Sequence, residues 1–437
     1  MKSIPMSRRL FIDHTHTTQY GFQTGVQRVV RKICEHAKSA AEGRFEQVIP
    51  VMLNELGFGP SDDQPFTTQA SQRTPESKRF GNGFRRWMRK SKRWLRGQVH
   101  PKDPMPNLAT NLCDVIDERD TLLLPDAYWA LPNVWPAVKR FRNAGGHTAI
   151  VIYDLIPHTH SDIYGEDGAD GFRNYVRAAF EHADRFYAIS RTVRDQLVVE
   201  LPKITGLPLG DFGIDYFDLG AEFTDPAGTV QASVADIFVG DEPSRPLLMV
   251  GTIEARKNHQ FVIDTMERLW LDSPERRLCV VGRPGWKGDI VIARIQSHSR
   301  YKKQLFWVDN ASDADLLHCY KNSKGVVFSS LAEGFGLPIV EALWHRCNTF
   351  VSDIPIHREV GKNLCHYFDL KQPDSLLKLL RPFEVTRYSN NNNFESTHVH
   401  VPPTSWSESV AGLVEKIHVT SLCHKINSKS VIQKIAA

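Results

Sequence analysis

Two successions of short, uninterrupted apolar runs, each run followed by a longer helical stretch, constrain the fold of this chain most. The first succession is Leu10–Asp13, Gln47–Leu53, Thr121–Pro125, Thr148–Tyr153 and Arg185–Ser190. The second is Pro246–Gly251, Leu278–Gly282, Leu305–Val308, Gly325–Phe328 and Thr349–Ser352. A strand covered by helices on both faces reads as a continuous apolar run, so the pattern predicts buried parallel strands in βαβ units. Two successions predict two doubly wound α/β domains. The length of 437 residues agrees, since a single core stops growing at roughly 250–300 residues. We place an N-terminal domain at 1–224 and a linker at 225–245, where proline, glycine and acidic residues gather. A C-terminal domain follows at 246–405, then a last helix from Trp406 to Ile417 with a tail to 437.

Composition narrows the class. Hydrophobic residues make up 41% of the chain and charged ones 24%, the balance of a globular protein and not of a disordered one. The net charge of +4 is modest and says little by itself. The seven cysteines are scattered and never spaced C-x-x-C, which argues against a disulfide framework or structural zinc and for a reducing, cytoplasmic compartment. The basic start, Met1–Arg9, lacks the apolar stretch of a signal peptide. No window nears the ~18 uninterrupted apolar residues that a membrane-spanning helix needs.

The densest chemistry follows the Gly325–Phe328 run. Glu333-Gly334-Phe335-Gly336-Leu337-Pro338-Ile339-Val340-Glu341 sets two carboxylates around a glycine pair and then enters a helix-like segment. A strand, a tight glycine turn and a helix opening beside a proline present backbone N–H groups to an anion. Glu333 falls in the loop and Glu341 about one turn into the helix, so the two can address opposite ends of one bound molecule. Upstream, Gly251-Thr-Ile-Glu-Ala-Arg256-Lys257-Asn258 sets adjacent cations after the first strand of the second succession. That is where ligands bind in open α/β sheets.

The spacing of the glutamates and the glycines between them resemble the E-x7-E motif of retaining GT-B glycosyltransferases. The similarity is to the glycogen-synthase-like family 4 and its bacterial surface-polysaccharide mannosyltransferase-like members. It implies two Rossmann-like domains facing across a cleft. It also implies a hexosyltransferase that moves a sugar, with retention, from a nucleotide-sugar donor, GDP-mannose-like or another. The implied acceptor is a glycan or a polyprenyl-diphosphate-linked oligosaccharide in O-antigen or other surface-polysaccharide biosynthesis. The departing diphosphate gathers negative charge in the transition state, which cations or backbone dipoles must meet where no metal is bound. By resemblance Lys257 contacts that diphosphate, with Arg256 beside it, although many relatives carry an arginine where this chain has Thr252. Glu341 resembles the glutamate that accepts hydrogen bonds from the ribose hydroxyls, and Glu333 the one near the transferred sugar. Gly251, Gly334, Phe335, Gly336, Leu337 and Arg283 complete the implied donor set, with either Arg283 or Trp286 packing near the base. The expectation is no cofactor and no metal. The D-x-D of Asp313 and Asp315 falls at a helix start, and Asp211 and Asp215 have the wrong spacing.

The N-terminal half offers Thr24-Gly25-Val-Gln-Arg28, a glycine loop leading into a basic helix, which reads as a second anion site. It resembles the T-G-[IV]-x-R segment of bacterial family members. Asp154 in Ile152-Tyr153-Asp154-Leu-Ile-Pro157 resembles the H-D-x-x-P element, with Tyr153 where relatives have histidine. His158 follows that proline, and Asp126 ends another strand run. Gly25, Arg28, Asp126, Asp154 and His158 are therefore the acceptor-side candidates.

An insertion at about 60–108 ends in Lys78–Arg96, which carries nine basic residues and no acidic one, interleaved with Phe84, Trp87 and Trp94. A tryptophan stripe under arginines suits a helix lying on an anionic leaflet, so we expect a peripheral site at the inner face of the plasma membrane and no nucleic-acid partner. A second irregular loop is expected at 385–404. Two other classes compete. A dinucleotide-dependent oxidoreductase lacks its G-x-G-x-x-G. A non-catalytic GT-B-fold subunit of an assembly complex is opposed by intact Lys257, Glu333 and Glu341.

Overall fold

The computed structural model describes residues 8–20, 24–55, 57–61, 116–223, 228–240, 245–383 and 404–435, with the side chains of the last helix described to 421. The basic segment 78–96 and the loop expected at 385–404, all but its last residue, lie outside the described residues. The chain divides into two compact units, Met1–Leu219 with Trp406–Ala437, and Gly220–Ser405.

The first unit is built on strands β1 (Arg9–Asp13), β2 (Gln47–Leu53), β3 (Phe58–Pro60), β4 (Thr121–Leu124), β5 (His147–Ile152), β6 (Arg185–Ala188) and β7 (Gly213–Tyr216). Their order is β3-β2-β1-β4-β5-β6-β7, and of the pairings only β2 with β3 is antiparallel. Phe11, Leu122, Leu124, Ile150 and Phe186 point to one face, where they meet Phe141, Val176 and Leu197 of the helices at Trp135–Asn143, Glu166–His182 and Arg191–Thr205. Full burial of each such side chain contributes ~1.5–3 kcal/mol relative to exposure.

The second unit is built on β8 (Leu247–Val250), β9 (Leu278–Val281), β10 (Leu305–Val308), β11 (Gly325–Phe328), β12 (Thr349–Ser352) and β13 (His366–Phe368). The order is β10-β9-β8-β11-β12-β13, parallel throughout. Successive side chains alternate between two cores. Leu247, Met249, Val280 and Val327 pack on Val262, Met266 and Leu269 of the helix His259–Asp272. Leu248, Val250, Cys279 and Val326 pack on Ile339, Ala342 and Leu343 of the helix Leu337–Trp344. A helix on each face is why these strands read as unbroken apolar runs.

Three strands had no apolar run to betray them. Phe58–Pro60, Gly213–Tyr216 and His366–Phe368 all lie at sheet edges, where one side is left without a ladder partner. The expected boundaries also shift. Within 225–245, Ala232–Phe238 forms helical turns whose Val234 and Phe238 are buried in the second unit's core, so this stretch is part of that unit and not a free linker. The last helix runs Trp406–Ile435, far beyond Ile417, and belongs to the first unit. Lys416 binds Asp215 at 2.8 Å, and the Tyr187 and Thr420 hydroxyls meet at 3.1 Å. Among the described residues, no helix is long and apolar enough to cross a membrane.

In each sheet the chain winds outward in both directions from one adjacent pair, β1/β4 and β8/β11. The loops beyond the carboxyl ends of such a pair diverge and leave a crevice.

Candidate functional site

At the β8/β11 crevice the backbone itself is shaped for close approach. Gly251 leaves β8 with φ +150°, and Asn258 closes the turn Ala255–Lys257 in the left-handed region at φ +54°. A Cβ on Gly282, at the end of β9, would stand 1.9 Å from the Gly251 carbonyl oxygen, so only glycine fits there. The Lys257 stem lies beside Gly251, its Cε 3.5 Å from where a Cβ would be.

One carboxylate stitches the turn after β8 to the loop after β11. Glu333 Oε2 accepts from Arg256 Nη1 at 2.6 Å, and Oε1 accepts from Lys257 Nζ and, at 2.7 Å, from Ser330 Oγ. Arg256 also pairs through Nε with Glu254 at 2.7 Å and donates to the Ala332 carbonyl at 3.2 Å. The Leu331 amide donates back to the Arg256 carbonyl at 2.8 Å. Side-chain exposure is 8% for Glu333 and 10% for Lys257, so these charges interact with little solvent screening. Burial alone would raise the Glu333 pKa. The charges of Arg256 and Lys257, with hydrogen bonds from Lys257 and Ser330, outweigh it and hold the carboxyl well below the ordinary range. Burial lowers the Lys257 pKa, Arg256 adds to the effect, and Glu333 opposes it.

The glycine turn then opens a helix. Gly336 stands at φ +100°, a Cβ there would press within 3.1 Å of Ile339 Cδ1, and Leu337–Trp344 follows with Pro338 in its first turn. Gly334, Phe335 and Gly336 are buried and Leu337 half-buried. Glu341 is buried, and its Oε2 accepts from the Tyr320 hydroxyl at 2.8 Å. Tyr320 stacks on His345, ring centroids 5.9 Å apart. Arg283 is exposed, and its carbonyl accepts from the Ile253 amide at 2.8 Å, tying the loops after β8 and β9.

Lys257, Arg256 and Glu333 are thus brought together as one cluster, with Gly251 against it. The first-unit candidates fare differently. Asp126 is fully buried, and its carboxylate accepts from the Thr17 amide at 2.7 Å, the Thr17 hydroxyl at 3.0 Å and the Ala127 amide at 2.9 Å. Named as an acceptor-side candidate, it is found buried, bracing the turn after β1. Asp13, beside it, accepts from the Tyr128 and Thr15 hydroxyls, and burial pushes its pKa up to about 7, with the Asp126 charge adding to the effect. Tyr153 is buried, and its hydroxyl donates to the Pro125 carbonyl at 2.5 Å, which ties β5 to β4. Asp154 accepts from the Ile156 amide at 2.9 Å and shapes its own turn. His158 Nε2 meets Glu200 Oε2 at 3.2 Å on the helix Arg191–Thr205. Gly25 opens the helix Gly25–Ala40, exposed, with Arg28 half-buried one turn on.

Sequence reasoning missed Glu254, Ser330 and Tyr320. A glutamate two residues before a cation and a serine three before a motif carboxylate are too common to single out. Tyr320 reaches Glu341 only because both helices pack into the same core. Asp315 belongs to the capping box of the helix Asp313–Asn322, where its carboxylate accepts from Ser312 and Gln231.

Residues 237–384 match the family model described as glycosyl transferases group 1. That stretch of the second unit is similar to this family, and the two sheets have the fold of GT-B glycosyltransferase structures. The chain is 24% identical over 422 residues to the serotype-specific mannosyltransferase WbdA of Escherichia coli, covering 94% of this chain and 45% of that protein. It is 22% identical over 307 residues to the O-antigen chain mannosyltransferase RfbU of Salmonella typhimurium, covering 65% of this chain and 78% of the relative. The chain spans less than half the length of the WbdA relatives it matches. Among solved structures it resembles the trehalose-6-phosphate synthase OtsA (TM-score 0.55, 11% identity, 96% of this chain and 99% of the other). It also resembles Anabaena HepE in complex with UDP and glucose (TM-score 0.52, 12% identity, 97% and 100%). At such identities these likenesses show the fold alone.

Proposed function

We propose that this protein transfers a hexose, with retention, from a nucleotide-sugar donor bound by the second unit onto a growing glycan or lipid-linked oligosaccharide. Mannose from GDP-mannose is the donor we favour, since the WbdA and RfbU relatives are named mannosyltransferases. The observation that carries the reading is the cluster of buried Lys257 with largely buried Arg256 and Glu333 beyond β8 and β11. Two fixed cations beside a helix N-terminus form a preorganised site for a leaving diphosphate, and they supply charge that a metal would otherwise bring. Arg256 and Lys257 hold the diphosphate, and the turn Gly334–Leu337 meets its oxygens or those of the sugar. Glu341, held by Tyr320, accepts from the ribose hydroxyls. Glu333 addresses the transferred sugar once the cations engage phosphate. Gly25 and Arg28 are acceptor-side candidates in the first unit, and a membrane-borne acceptor suits a basic segment at 78–96.

The test is donor turnover across GDP-mannose and the common UDP-, GDP- and TDP-sugars, with EDTA present, followed by NMR of the product anomer. Transfer or slow hydrolysis of one donor with retained anomeric configuration is expected. No turnover of any donor, with or without added mannan oligosaccharide, would overturn the reading.

A further inference from the structure

Among the described residues Glu333 has one donor besides the two cations, and that donor is anchored by buried polar groups beneath the glycine turn. Ser330 Oγ donates to Glu333 Oε1 at 2.7 Å. The Ser330 carbonyl in turn accepts from Ser352 Oγ, at the end of β12, at 2.7 Å. His357, in the helix Pro355–Gly361, brings Nδ1 to the Ser352 carbonyl at 2.9 Å and to its hydroxyl at 3.1 Å. A carbonyl can only accept, so Nδ1 carries the hydrogen and Nε2 the lone pair. The His357 ring passes under the turn, its Cδ2 3.9 Å from where a Cβ would stand on Gly336. Ser330 is 1% exposed, and Ser352 and His357 are 0% exposed. Burial, the largest cause, keeps His357 neutral by lowering its pKa to about 4. An apolar trio would fill this core without desolvating polar groups, so the hydrogen bonds themselves need a reason.

We infer that Ser330, anchored through Ser352 and His357, is a positioning residue that holds the Glu333 carboxylate when Arg256 and Lys257 turn to the donor's diphosphate. The inference rests on the donor-site reading above. Glu333 is held by three donors among the described residues, and the two cations are the ones a dianionic diphosphate competes for. Once they re-pair, an unanchored carboxylate would swing toward solvent or repel the phosphate. Ser330 is neutral, cannot be recruited by the anion as a charge, and is fastened from behind. It therefore keeps one Glu333 oxygen in place and leaves the other aimed at the sugar.

Two measurements test this. The first is a double-mutant cycle on kcat with the nucleotide sugar that the wild type turns over. Ser330→Ala should lower kcat by about tenfold, the usual effect of losing one hydrogen bond to a charged group, while the dissociation constant of the bare nucleoside diphosphate stays within threefold. Combined with Glu333→Gln, Ser330→Ala should lower kcat less than twofold further, because its effect passes through the carboxylate. Full additivity, or a loss of nucleotide affinity matching the loss of kcat, overturns the inference and leaves the donor site standing. The second is a crystal structure of the wild type with GDP or UDP. Glu333 should remain on Ser330 while Arg256 and Lys257 contact the diphosphate. Glu333 detached from Ser330 overturns the positioning role. If neither nucleotide binds at millimolar concentration, the donor-site reading falls, and the inference with it.

Discussion

Glu333→Gln keeps the size and shape of the side chain and removes its charge, and it separates two effects that are usually confounded. In the free protein the Glu333 carboxylate is the counter-ion of both Arg256 and Lys257, so an entering diphosphate has to take both cations from it. A unit charge pair at ~4 Å interacts by ~4 kcal/mol at an effective dielectric constant near 20. The diphosphate replaces most of that attraction and also meets the repulsion of the displaced carboxylate. A net gain of ~1–2 kcal/mol on removing the competitor is therefore expected, or about tenfold tighter binding of the bare nucleoside diphosphate. Turnover should move the opposite way, because the sugar loses its carboxylate. The pH dependence follows from Lys257. Its pKa already lies below the ordinary lysine value through burial and Arg256, with Glu333 opposing, so losing Glu333 lowers it further. The variant's advantage in affinity should shrink as pH rises and Lys257 loses its proton. Stability should also fall, by ~3–5 kcal/mol, since a buried charge pair is broken from one side. Saturating nucleotide should restore ~2.7 kcal/mol at one hundred times its dissociation constant. Calorimetry with GDP and UDP at low salt, pH 6.5 to 9, reads the affinity, and thermal unfolding reads the rest. Weaker or unchanged nucleotide binding in the variant would refute the competition argument.

Tyr320→Phe removes only the hydroxyl that donates to Glu341 at 2.8 Å, so nucleotide affinity should fall about tenfold with the unfolding midpoint little changed. Equal affinity by calorimetry would mean that Tyr320 does not orient the carboxylate. Gly282→Ala should collapse donor binding and lower stability by several kcal/mol, since backbone at 1.9 Å from the new Cβ has to move. A soluble variant that binds as the wild type does would contradict the close packing of the β8 and β9 ends. Burial lowers the pKa of His259 to about 3 and that of His357 to about 4, against 6.5 in an unfolded chain. The stability they allow is complete above pH ~6.5 and is lost as pH falls toward 4, so acid should weaken the second unit, and a flat urea midpoint between pH 7 and 4.5 would contradict this. The protein should co-sediment with anionic vesicles at low salt, and charge reversal at Arg85, Arg86, Arg89 and Arg93 should release it. Pelleting by the reversed variant would assign the attachment elsewhere.

Much of this architecture was legible in the residues. The core strands of both sheets announced themselves because helices cover both their faces, which forces unbroken apolar runs such as Leu247–Val250 and Leu278–Val281. Glu333, Gly336 and Lys257 stood out because their chemistry depends on local spacing, a glycine turn between a strand and a helix. The edge strands Gly213–Tyr216 and His366–Phe368 did not, since a half-covered strand tolerates mixed residues. Asp126, an acceptor-side candidate at a strand end, and Tyr153, where relatives have histidine, give no sign in one dimension of the partners they take. Only packing turned them inward, Asp126 onto Thr17 and Tyr153 onto the Pro125 carbonyl.

Local spacing along the chain therefore determined the two doubly wound sheets, the glycine turns and the residue types set around them. Tertiary structure decided who meets whom. Arg256 and Lys257 are 77 and 76 positions from Glu333, Tyr320 is 21 from Glu341, and Ser352 is 22 from Ser330. Such pairings are set by strand order and register, because β8 lies beside β11 and β11 beside β12. The charge on a buried carboxylate is set by those neighbours, and periodicity carries no information about them.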